Sequence, residues 1–137
     1  AEEDNPDALA INAIAVYGTY DSLYDLAAEI VTERFLPPMD WLVMRVALPL
    51  ASLHAGTHLS KFAPVRELDR IAPRPILFIH GKEDAVIPFD RGKALYDAAS
   101  QPKYRIWIPQ GGHNDILNDV DTGKIVAEFF KTAQAVL

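Results

Sequence analysis

The chain contains no cysteine. That absence removes disulfide scaffolds, Cys-ligated zinc and cysteine nucleophiles together. It leaves the compartment undecided, with the cytoplasm as the default. Positive charge is also scarce: 13 Lys and Arg stand against 19 Asp and Glu, for a net charge of −6. With no basic field to neutralise phosphates, nucleic acid is not an expected partner. Long hydrophobic runs are missing too. The longest apolar stretch, Trp41 to Leu53, is broken by Arg45, Pro49 and Ser52. It falls well short of the roughly 20 residues of a membrane span, so no transmembrane segment is expected. The N-terminal AEEDNPD is acidic and polar, unlike a signal peptide. No Gly-rich phosphate loop, internal repeat or low-complexity tract is found.

What is present describes a soluble globular protein. Half of the 137 residues are hydrophobic and 23% are charged, enough for one domain with a buried core. Three segments read as strands: Ile11–Tyr17, Ile76–His80 and Tyr104–Ile108. The first two lack polar alternation, as in strands buried on both faces of a parallel sheet. Helical patterns span Ser22–Phe35, with Ser22 and Asp25 as a capping pair, Asp90–Ser100 and Thr122–Leu137. Asp121 or Thr122 is the expected N-cap of the last helix. The apolar faces are Leu23, Leu26, Ala27, Ile30 and Val31 in the first, Ala94, Leu95 and Ala98 in the second, and Ile125, Val126, Phe129, Phe130 and Ala133 in the third. This order of elements implies an α/β class with a parallel sheet and crossover helices.

A long insertion, residues 36 to 74, interrupts the pattern after Pro37-Pro38 and contains the apolar helix candidate MDWLVMRVALPLASL. It is either a helical excursion packed on the sheet or a lid or acyl-binding wall. The stripe around Trp41, Met44 and Leu48 fits plain packing better than a pocket.

The chemistry concentrates in HGKEDAVIP, His80 to Pro88, and PQGGHND, Pro109 to Asp115. Ligands of open α/β sheets bind outside the carboxyl ends of the strands. Asp84 lies just past one such end, and His113 lies past the end of the next strand. Gly111 and Gly112 would let the backbone turn sharply and bring the imidazole over the sheet. A carboxylate beside an imidazole can fix its tautomer and stabilise the imidazolium formed when the other nitrogen takes a proton.

Several rival readings are weaker. Glu83 reads as a solvated loop charge, His80 as a packed, hydrogen-bonded residue, and Asp115 as a cap. His54 and His58 have helical metal-ligand spacing, but Gly56 lies between them and no third ligand is evident. Metal sites are therefore not expected. Gly111 and Gly112 could bind an anion, although a turn is simpler. Gly18-Thr19-Tyr20 reads as an ordinary strand-to-helix turn, not a phosphate loop.

PILFIHGKEDAVIP, the helix after it and YRIWIPQGGHND resemble the C-terminal portion of an α/β-hydrolase. LSKFAPVRELDRIAPRP resembles the lead-in from the cap of that family, and INAIAVYGTYDSLYDLA the strand and helix that follow the nucleophile helix. The resemblance covers nearly the whole chain. It implies a three-layer partial parallel sheet flanked by helices, residues 1–137 as part of one domain, and residues 36–74 as a cap-like insertion. It also implies a serine hydrolase acting on an ester, thioester or amide, with Asp84 and His113 in the triad order Ser…Asp…His. Neither a metal nor an organic cofactor is implied. The departure is the nucleophile: no G-x-S-x-G occurs, and Ser22, Ser52, Ser60 and Ser100 lie on no Gly-flanked elbow. The isolated chain is then expected to be inactive. The first strand would need an edge partner, either a missing N-terminal half or a second copy. The alternative is a non-catalytic binding or oligomerisation module.

Overall fold

The computed structural model describes residues 11–114 and 120–135. The elements are β1 (Ile14–Tyr17), α1 (Leu23–Arg34), α2 (Met39–Ala55), β2 (Ile76–Gly81), α3 (Phe89–Ala98), β3 (Lys103–Ile108) and α4 (Val120–Ala135). Two 3₁₀ turns, Leu59–Lys61 and Pro64–Arg70, lie between α2 and β2.

The strands form one parallel sheet in the order β1-β2-β3. Central β2 is buried along its whole length, which accounts for its unbroken apolar run. Leu68, Ile76, Phe78, Leu95 and Ala99 make the core on one face, beneath α3 and the second 3₁₀ turn. Leu77 and Ile79 face the other way, with Val126 and Phe129 of α4 packed over them. These are the three layers expected. On its outer side β1 has no strand partner among the described residues.

Helix α1 starts at Ser22, whose hydroxyl accepts the Asp25 N–H at 3.3 Å. A charged clamp ties it to α3: Arg91 Nε donates to Glu29 Oε2 at 2.7 Å, and Arg91 Nη1 lies 3.6 Å from Asp21 Oδ1.

Several sequence expectations need correction. Strand β1 begins at Ile14 and not Ile11, which is 63% exposed. Its pairing starts at Ile14↔Ile76, and the Ile14 N–H bonds the Pro75 carbonyl. Upstream, Pro73 and Pro75 have no N–H to extend the ladder. In α3 the buried face is Gly92 and Leu95, continued by the C-cap Ala99, whereas Ala94 and Ala98 are exposed. In α4 the inward face is narrower than expected, because Ile125 and Phe130 are exposed. Asp121 and Thr122 lie inside α4, since the helix already includes Val120; the end of that helix at Leu137 lies outside the described residues.

The insertion folds mainly as α2, which runs through Pro49 and stops at Gly56 with φ of 66°. The Gly56 and Thr57 N–H groups cap the Leu53 and Ser52 carbonyls. Helix α2 packs on α1 and the first 3₁₀ turn, and its outward Met39, Leu42, Val46, Leu50 and Leu53 remain exposed. No helix among the described residues is long and apolar enough to cross a membrane.

Candidate active site

Strands β2 and β3 end side by side, with Gly81 paired to Ile108. Backbone bonds then join the two following loops. The Lys82 N–H reaches the Ile108 carbonyl at 2.9 Å, and the Glu83 N–H reaches the Gly111 carbonyl at 3.1 Å. Gly81 permits this approach, because a Cβ there would overlap the Gly111 carbonyl oxygen. At Gly111 a Cβ would stand 2.9 Å from the Ile108 side chain and 3.3 Å from the Gly81 Cα. The chain does turn before His113, with the Gly111 N–H on the Ile108 carbonyl at 3.2 Å. Among the described residues only Gly18 and Gly56 have positive φ; Gly111 is needed for close approach, not for a left-handed backbone.

The joined loops bring Asp84 and His113 together. His113 Nδ1 lies 2.8 Å from Asp84 Oδ2. A carboxylate oxygen can only accept, so Nδ1 carries a proton, and in the neutral ring Nε2 keeps its lone pair. The Asp84 side chain is fully buried and the His113 side chain is 24% exposed. Asp84 Oδ1 accepts the Val86 and Ile87 N–H groups, both at 2.8 Å. Burial would raise the Asp84 pKa; the bonds from Ile87, His113 and Val86, with the His113 charge, outweigh it and hold the carboxyl below its ordinary 3.8. Asp84 is thus held as a carboxylate against the imidazole.

Gly18 at the end of β1 completes the arrangement. Its φ is +51°, and a Cβ there would stand 3.1 Å from His113 Cε1 and 3.7 Å from Asp84 Oδ2. In the sequence Gly18 reads as an ordinary strand-to-helix turn. Its only signal was a glycine at a strand end beside the other two loops. Tyr17 flanks the imidazole, with ring centroids 6.1 Å apart.

The other candidates fall away from this point. Glu83 is exposed, and Asp115 lies outside the described residues. His80 is buried and its Nε2 lies 3.0 Å from the Ile87 carbonyl. His54 ends its helix at Ala55, and His58 follows in extended backbone, so the pair does not share a helix face. Among the described residues no group of three or more His, Asp or Glu is placed to hold a metal.

Two of the serines are tied to helix structure: Ser22 caps α1, and Ser52 Oγ donates to the Leu48 carbonyl and accepts the Leu59 N–H. Among the described residues no serine bonds His113.

Two cavities lie elsewhere. One of about 890 Å³ sits at the opposite end of the strands, between Pro75, Leu77, Tyr104, Ile106 and Phe129. Another of about 860 Å³ lies between α1 and α2, lined by Tyr24, Trp41, Met44 and Leu48. The Asp84 and His113 loops line neither.

No family model matches this chain. The human α/β hydrolase domain-containing protein 17B is 36% identical over 73 residues, which are 53% of this chain and 24% of that protein. The chain thus spans about a quarter of the length of that curated relative. Hypothetical protein PA2218 from Pseudomonas aeruginosa matches 89% of this chain with a TM-score of 0.63 at 15% identity, using 53% of its own length. MGS-MChE2, an α/β hydrolase enzyme from a lagoon-sediment metagenome in Morocco, matches 90% with a TM-score of 0.53 at 19% identity, using 51% of its length. The strand order, the flanking layers and these likenesses agree: the chain has an α/β-hydrolase-like fold, matching about half the length of those two structures.

Proposed function

We propose that this chain supplies the acid and the general base of a serine hydrolase triad. The observation that carries the reading is the 2.8 Å bond from His113 Nδ1 to buried Asp84 Oδ2, which leaves Nε2 as the free base. The serine would come from outside these 137 residues. His113 Nε2 would take the serine hydroxyl proton as the oxygen attacks an acyl carbon, and then pass that proton to the leaving group. Water, deprotonated by the same nitrogen, would release the acid and restore the serine. Asp84 would hold the ring in one tautomer and stabilise its charged form throughout.

An ester, thioester or amide is the substrate class, and the apolar residues 36–74 favour a hydrophobic acyl group. The outer edge of β1 would be covered by the part that carries the serine, or by a second copy of the chain.

Fluorophosphonate labelling read by intact mass tests this. A labelled serine outside these residues is expected, with His113→Ala removing nearly all labelling and turnover. Asp84→Asn should slow turnover by about 10⁴-fold in a folded protein. Near-normal rates in both variants would refute the triad. A second reading is a non-catalytic binding or oligomerisation module, favoured by the exposed apolar residues of α2, such as Leu53 at 79%. It predicts no label on a protein that runs as the bare chain or its oligomer.

A further inference from the structure

His80 sits at the end of β2 opposite Trp107, only 1% exposed. Its Nε2 lies 3.0 Å from the Ile87 carbonyl oxygen and 3.5 Å from Asp84 Oδ2. Both neighbours are acceptors, so this nitrogen bears a proton. The 84–87 turn is thereby held from two sides. Its Val86 and Ile87 N–H groups grip Asp84 Oδ1, and its last carbonyl is gripped by His80.

A second observation concerns Gly92. It lies inside α3 and its φ is not positive, so no backbone conformation demands glycine there, and glycine is a poor helix former. What demands it is the imidazole: a Cβ at Gly92 would overlap His80 Nδ1. Phe89 closes another side, with its ring edge-on to His80 at 5.9 Å. The fold has made a fitted slot for this ring.

We infer that His80 is a positioning residue for the triad acid, acting through the Ile87 carbonyl, and that Gly92 exists to seat it. This rests on the reading of Asp84 and His113 as a catalytic pair. Without the His80 N–H, the buried Ile87 carbonyl loses its partner. The turn then relaxes, and the Asp84 carboxylate no longer holds His113 in one tautomer.

The test is long-range ¹H–¹⁵N NMR of the histidine tautomers in the 137-residue chain, at a pH where the imidazoles are neutral. In the unmodified chain His80 should be the Nε2–H tautomer and His113 the Nδ1–H tautomer. His80→Leu and Gly92→Ala should each cost His113 its single tautomer. His80→Gln, whose amide N–H can reach the Ile87 carbonyl, should retain it. A merely structural His80 would lower the stability of these variants and leave the His113 tautomer unmoved.

Asp84→Asn provides the reference. If it changes the His113 tautomer while His80→Leu and Gly92→Ala do not, the inference about His80 is overturned and the pair stands. If Asp84→Asn changes nothing, the pair itself fails. Should His80→Leu not fold, the unmodified chain and Gly92→Ala still decide. An Nδ1–H tautomer at His80 overturns the inference by itself.

Discussion

Replacing Asp84 by Asn and by Ala separates the two jobs of its carboxylate. Oδ1 accepts two backbone N–H groups and Oδ2 accepts the His113 proton, each at 2.8 Å. Asn keeps an oxygen for Val86 and Ile87, and presents an NH₂ group to His113. Three charge-assisted bonds become neutral ones of about half the strength, but the cost of burying a charge disappears with them. The net loss should be about 1 kcal/mol. Ala removes every acceptor. It strands the buried Ile87 N–H, the half-buried Val86 N–H and the His113 Nδ1–H; at about 1–3 kcal/mol for each buried unpaired group, and less for the partly wet ones, the loss should be about 3–5 kcal/mol. Urea unfolding of the chain, followed by circular dichroism and by Trp41 and Trp107 fluorescence, measures both. The expected gap is about 2–3 kcal/mol. If Asn and Ala fell within about 0.5 kcal/mol of each other, the Oδ1 acceptor would not be what holds the turn, and the structural account of Asp84 would be wrong.

Acid should remove the same contribution gradually. The Asp84 pKa is lowered from 3.8 in the folded chain, so its stabilisation is present above about pH 4 and is lost as pH falls through the depressed folded value. Urea midpoints taken from neutral pH down to about pH 2.5 should therefore drop less steeply in Asp84→Asn than in the parent; parallel curves would contradict the assignment. Gly18→Ala meets both a positive φ of 51° and a 3.1 Å contact with His113, and should cost about 1–2 kcal/mol while shifting His113 resonances. Gly81→Ala presses backbone on backbone at Gly111. It should cost more than Gly18→Ala by the same unfolding assay, because a carbonyl in a joined pair of loops cannot swing aside as a side chain can.

The Asp84 and His113 loops were legible because the sequence marks strand ends plainly: an apolar run, then glycine, then a polar side chain. Gly81 and Gly111 were visible as residues, but their role was not. A turn and a close approach leave the same letter, and only the overlap between the two loops distinguishes them. The α3 face was misread for a related reason. Apolar periodicity gives glycine no weight, so Ala94 and Ala98 outvoted Gly92, the position that touches His80. The length of β1 depended on Pro73 and Pro75, which lie just before the neighbouring strand and not on β1 itself. Helix α2 was legible as a helix, yet its surroundings were not: an all-round apolar helix says that something should cover it, and nothing local says what.

These particulars bear on which parts of the site depend on one another. The pair is held by β2, β3 and the bonds between their loops, with Gly18, just past β1, as its wall. None of those restraints comes from a nucleophile or from α2. Asp84 and His113 are thus held together by the chain described here, and under the proposed function a serine would have to be brought to them at His113 Nε2. That division makes the two halves of the proposal separable. The tautomer of His113 is a property of this chain alone, readable without any substrate, whereas turnover requires the nucleophile as well. A correct tautomer without labelling would place the fault with the serine, and a mixed tautomer would place it here, in the turn from Asp84 to Ile87.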